Sequence, residues 1–172
     1  MKKLLAIISL FACIAAGAQD LEGKFTQTKT IQVSGKTIKS EGSITYTAPD
    51  QLAMLYTNPA GDFFIIDGPF IRMDMRGVQA EVNSDNNASI KAQRNAILYS
   101  ISGRYEEIAK EMDADCKVTN TKTGGKHVEI KVRKTMPKGY SGLILDYKKG
   151  GQISKMVLEE FGGISTEYVL TL

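Results

Sequence analysis

What the chain has little of sets its first limits. It carries two cysteines and one histidine. After residue 16 no stretch approaches the ~20 apolar residues of a transmembrane helix. No run of basic residues marks a nucleic-acid surface. The G-x-S-x-G, phosphate-loop and dinucleotide glycine patterns are all missing. Glu106-Glu107 and Glu159-Glu160 are adjacent pairs whose side chains point apart, so neither is a catalytic dyad. Cys116 has no patterned histidine near it, which argues against the common metal sites. His127 shares a strand face with Glu129, Lys131 and Arg133 and reads as a surface residue. No catalysis, cofactor, metal site or nucleic-acid partner is expected from these residues.

The chain opens MKKLLAIISLFACIAAGAQD. Lys2 and Lys3 precede an apolar run from Leu4 to Ala16, and Ala16-Gly17-Ala18 has the small residues of a signal-peptidase site. Residues 1–18 are therefore expected to be a signal peptide, with residues 19–172 as one mature domain in the periplasm. The lesser alternative is a lipobox ending at Cys13, with that cysteine lipidated; Phe11 is bulky for such a motif. Loss of Lys2 and Lys3 lowers the formal charge from +3 to +1. Cys116 is then the one cysteine left, so an intrachain disulfide is excluded.

What is present is alternation. In FIRMDMRGVQAEV, residues 70–82, Ile71, Met73 and Met75 fall on one side and Arg72, Asp74 and Arg76 on the other. Val78, Ala80 and Val82 continue the apolar face after Gly77. Val128, Ile130 and Val132 oppose Glu129, Lys131 and Arg133; Leu143, Leu145 and Tyr147 oppose Asp146 and Lys148, with Ile144 as an exception; Ile164, Tyr168, Leu170 and Leu172 oppose Ser165 and Glu167, with Val169 as an exception. Strands are expected at 24–34, 36–47, 51–57, 62–66, two within 70–82, and at 115–121, 126–134, 142–148, 152–160 and 164–172. Gly35, Gly61, Gly68, Gly124-Gly125, Gly150-Gly151 and Gly162-Gly163 punctuate them. Residues 88–112 alone have helical spacing, with Ile90, Ile97, Leu98 and Ile101 on one face and a break at Gly103.

About eleven strands at ~4.8 Å each make a sheet roughly 50 Å wide. Two helices of ~10 Å diameter cannot cover its apolar face. Such a sheet curls. The fold class expected is mainly β: a curved, incomplete antiparallel barrel with residues 88–112 as a helical lid or plug. The space left would be apolar, and would suit an apolar ligand. Met54, Met73, Met75, Met112 and Met156 sit in patterned positions, and methionine repacks around irregular guests. Ile71, Met73, Met75, Ile97, Leu98 and Ile101 are the lining residues that this pattern proposes.

An ordered series of short elements resembles the LolA-type lipoprotein carriers. LEGKFTQTKT contains Phe25-Thr26-Gln27, similar to that family's F-x-Q element; Gly42 to Pro49, QLAMLYTNP and FFIIDG follow in the family's order. The C-terminal ladder LILDYKKGGQISKMVLEEFGGISTEYVL has the same rhythm of strand, glycine turn and strand. The resemblance implies a half-open barrel whose cavity shields acyl chains of lipoproteins, or of a related lipid, on the way to the outer membrane. It implies a monomer that meets an inner-membrane release complex and an outer-membrane acceptor. By position it adds Phe25, Leu52, Met54 and Tyr56 to the lining, and also Ile44, Phe63 and Ile65. Ala48 stands where the family has an arginine that latches the lid, and the helix before the F-x-Q strand is missing or very short. The rival reading is an envelope interaction or sensor module on the same fold, binding protein instead of lipid.

Overall fold

Period-two runs become strands, and glycines become the turns between them. The computed structural model describes residues 20–135 and 138–172. The expected signal peptide and Cys13 lie outside the described residues. Six strands come first: β1 (Leu21–Ile31), β2 (Lys36–Thr47), β3 (Gln51–Asn58), β4 (Ala60–Asp67), β5 (Phe70–Met75) and β6 (Val78–Asn83). Two helices follow, α1 (Ala88–Ile101) and α2 (Tyr105–Glu111). The chain then adds β7 (Ala114–Asn120), β8 (Lys126–Val132), β9 (Tyr140–Tyr147), β10 (Ile153–Glu160) and β11 (Ile164–Thr171).

All eleven strands form one antiparallel sheet in the order β6-β5-β4-β3-β2-β1-β11-β10-β9-β8-β7. Two meanders are thus joined at the centre by β1 and β11. The edge strands β6 and β7 do not pair, so the barrel stays open, and the helices run between them in the chain. This is the expected mainly-β incomplete barrel. Among the described residues no helix is long and apolar enough to cross a membrane.

The sheet needs bare backbone at Gly42, as it does at Gly23. In register, Gly42 on β2 lies between Phe25 on β1 and Tyr56 on β3, beside a β-bulge at Glu41. A Cβ at Gly42 would collide with the Leu55 carbonyl oxygen. Over the glycine the rings of Phe25 and Tyr56 meet edge to face, 5.0 Å between centroids at 83°. The two aromatics cover the hole that the missing side chain leaves.

The helices start and stop where the side chains dictate. Asn87 caps α1, its side-chain oxygen accepting from the Ser89 and Ile90 N–H groups. Gly103, at φ +75°, breaks the run before α2. Glu106 and Glu107 occupy the first turn of α2 and Lys110 its last, which suits the helix dipole. Glu111 ties the two helices together, accepting from Asn95 Nδ2 at 3.0 Å and from the Tyr99 hydroxyl at 3.1 Å. The Tyr147 hydroxyl donates to the Ser100 carbonyl at 2.8 Å, pinning the end of α1 to β9. α2 packs on β7 and β8, where Ile108, Val128, Ile130, Leu143 and Leu145 are buried. Each such side chain contributes about 1.5–3 kcal/mol of burial free energy.

Candidate functional site

The first half of α1 stands off the inner face of β1–β6, and a cavity of about 620 Å³ lies between them. Its wall on the sheet is built from Met54 and Tyr56 of β3, Phe64 of β4, Ile71, Met73 and Met75 of β5, and Val82 of β6. Ile90, Gln93, Arg94 and Ile97 of α1 face them. Met156 and Leu158 of β10 and Tyr168 of β11 complete the far side. The volume is that of a small-molecule pocket, and most of the wall is hydrocarbon or thioether.

One end of the cavity is polar, with three tyrosine hydroxyls among charged side chains. The Tyr56 hydroxyl donates to Gln27 Oε1 at 2.6 Å. Burial, with the Asp62 carboxylate as a lesser contributor, pushes its pKa up to about 12. Burial holds the Tyr168 hydroxyl well above its ordinary range, helped by Tyr56 and Tyr140. Tyr140 is raised by burial and then by Glu160. All three phenols therefore stay protonated at neutral pH and offer hydrogen bonds without charge.

The lid is tied to the rim from the helix side. Arg94 Nε donates to the Gly68 carbonyl in the β4–β5 turn at 2.6 Å. Its Nη1 donates to Asn95 Oδ1 at 2.8 Å, and Nη2 lies 3.8 Å from Asp50 Oδ2. Ala48 contributes only its backbone N–H, which donates to Asp20 Oδ1 at 3.0 Å.

The residues singled out from the sequence divide three ways. Met54, Tyr56, Ile71, Met73, Met75 and Ile97 line the cavity. Phe25, Ile44, Leu52, Leu98 and Ile101 are buried in the packed core beside it. The placement expected for Phe63 and Ile65 is corrected. Register pairs Met54 with Phe64 and Leu52 with Ile66, whereas Phe63 pairs with Leu55 and Ile65 with Ala53. Paired residues share a face, so Phe63 and Ile65 lie on the side away from the cavity. Phe64, Val82, Ile90 and Tyr168 were not singled out. Val82, Ile90 and Tyr168 stood on apolar faces that the spacing already marks; Phe64 sits in an unbroken apolar run with no such signal.

His127 lies outside the site, with Nδ1 2.6 Å from Asp146 Oδ1 and Nε2 3.3 Å from Glu129 Oε1, partly exposed. Cys116 is exposed and unpaired. Among the described residues no group of three or more His, Cys, Asp or Glu could hold a metal.

The family described as outer membrane lipoprotein carrier protein LolA matches residues 16–171. No curated protein matches the chain. Solved structures with a similar course include a LolA superfamily protein from Nitrosomonas europaea, 7% identical, with 91% of this chain and 86% of that one covered at a TM-score of 0.42. A putative outer membrane lipoprotein-sorting protein domain from Vibrio parahaemolyticus is 12% identical, with 91% and 85% covered and a TM-score of 0.39. The Mycobacterium tuberculosis lipoprotein LppX is 8% identical, with 87% and 84% covered and a TM-score of 0.34. These TM-scores are low, and the assignment rests on the family match. By that match, over nearly its whole length, the chain belongs to the LolA family of outer membrane lipoprotein carrier proteins.

Proposed function

We propose that the protein is a periplasmic carrier that shields acyl chains of lipoproteins, or of a related lipid, during transfer toward the outer membrane. The observation that carries this reading is the 620 Å³ space beneath α1 with its Met, Ile and Phe walls. An interaction module on the same fold would need no such space, and a solidly meshed interior would have favoured it. Membership of the family supports an inner-membrane donor and an outer-membrane acceptor as partners.

The energetics suit reversible carriage. Burying acyl chain is worth about 0.8 kcal/mol per methylene. Ten methylenes give roughly 8 kcal/mol before the costs of ordering and association. Methionine walls adapt to a guest without holding one geometry, which favours release as well as capture.

Titration of purified protein with a fluorescent fatty acid and with a diacyl lipopeptide tests the reading. Saturable binding is expected, weakened at least about tenfold in Met73→Glu, because a buried carboxylate opposes an apolar guest. Circular dichroism would establish that the variant is folded. Absence of saturable binding to the unmodified protein would overturn the proposal.

A further inference from the structure

Cavity size and cavity charge together narrow the guest; the inference rests on the carrier reading above. A methylene group fills about the volume of one liquid water, ~30 Å³. The cavity of about 620 Å³ therefore holds roughly twenty methylenes. That is the room one long chain takes.

Two cations on the wall have no ion-pair partner among the described residues. Lys29 lies on the inward face of β1, half-buried, between Gln27 and Ile31 along the strand. Its register partners are Ile38 and Thr166, neither of them acidic. Arg76, an exposed residue, borders the same cavity from the β5–β6 turn, where it holds φ +58°, a conformation uncommon outside glycine. Asp62, itself buried, fixes that turn by accepting the Arg76 N–H at 2.8 Å. Among the described residues neither Lys29 nor Arg76 forms an ion pair. Ammonium on an inward face is costly unless something neutralises it.

The other charged residues of the wall are Arg94, Asp62 and Glu160. Arg94 is committed to the Gly68 carbonyl. Asp62 is engaged by the turn, and Glu160 stands at the end of β10 opposite Tyr140. Three cations against two carboxylates leave the wall one positive charge in excess. Tyr56, Tyr140, Tyr168 and Thr166 add neutral donors at the same end.

We propose that the cavity takes one single-chain anionic amphiphile, its oxyanion head held by Lys29 and Arg76 and its chain laid against Met54, Phe64, Met73 and Met75. A fatty-acid carboxylate and a lysophospholipid phosphate share this chemistry. The phosphate would meet the two cations through charge-assisted hydrogen bonds.

Four probes test it by calorimetric titration: palmitate, palmitoyl-lysophosphatidylglycerol, uncharged monopalmitoylglycerol and a triacylated lipopeptide. The variants are Lys29→Ala and Arg76→Gly; glycine suits the positive φ, so the second removes the guanidinium without disturbing the turn. One-to-one binding of at least one anionic probe is expected, weakened about tenfold or more in either variant, with monopalmitoylglycerol changed less than about twofold. Whichever anionic probe binds more tightly names the head. Equal binding of charged and uncharged probes, unchanged in both variants, overturns the role of the cations and leaves the carrier reading standing. Lipopeptide binding that matches or exceeds palmitate and competes with it overturns the single-chain assignment. No binding of any probe removes the carrier reading itself.

Discussion

The two arms of the sheet follow the same alternation yet end differently. In the β7–β11 arm, Val128, Leu145 and Ile153 are all 0% exposed beneath the helices. In the β1–β6 arm, Phe64, Met73, Met75 and Val82 reach only partial burial around an open space. Stiff aliphatic side chains build the first and flexible thioethers dominate the rim of the second. Placement of the helices makes the difference: α2 sits directly on β7 and β8, while the first half of α1 is held off β3–β6. A single hydrophobic face thus closes into core in one part and borders open space in another, most of that space lying against the β1–β6 arm.

Truncation on each side gives the largest contrast. Leu145→Ala should cost about 2–5 kcal/mol, since it opens a void in close packing. Met73→Ala should cost at most about 1 kcal/mol, because its neighbour is already empty space. Urea midpoints at constant m-value measure both, and equal losses would break the comparison.

Alkaline unfolding sharpens it next. The Tyr56 pKa rises from 10.0 to about 12 in the folded chain. The folded state then keeps a proton that the unfolded state releases, so this contribution is intact below pH 10 and lost as pH climbs through 12. Its ceiling is about 2–3 kcal/mol. Tyr56→Phe should flatten the fall in stability between pH 10 and 12. An unchanged slope would mean that water fills the polar end of the cavity and ionises Tyr56 normally.

The smallest effect concerns the lid. Arg94→Ala removes the bond to the Gly68 carbonyl and should cost about 1–2 kcal/mol. Native-state hydrogen exchange should quicken in residues 88–97 and not in α2. Equal acceleration in both helices would show that the lid moves as one body.

Much of this architecture could be read from residue order. Alternation placed the strands, and Gly103 divided the helical stretch. Alternation assigns a face but not a depth, so Phe25, Ile44 and Leu52 could not be told from Met54 and Met73. In Asp62-Phe63-Phe64-Ile65-Ile66 both faces are apolar and the one polar residue points inward. With no contrast to fix its phase, a one-residue slip reverses the whole segment, and Phe63 and Ile65 were misplaced in that way. Lys29 was missed for a related reason: a lysine in a strand reads as solvated unless register shows otherwise.

Every ladder but one joins strands that are consecutive in the chain; the exception is β1 with β11. Hairpins close short loops at small entropic cost, whereas this join must recruit segments from opposite ends of the described fold. Pairings of that kind are slow to form. Lys29 and Thr166 face one another across it. The space that they border is walled by strands from both arms, so it is complete only where β1 and β11 are paired.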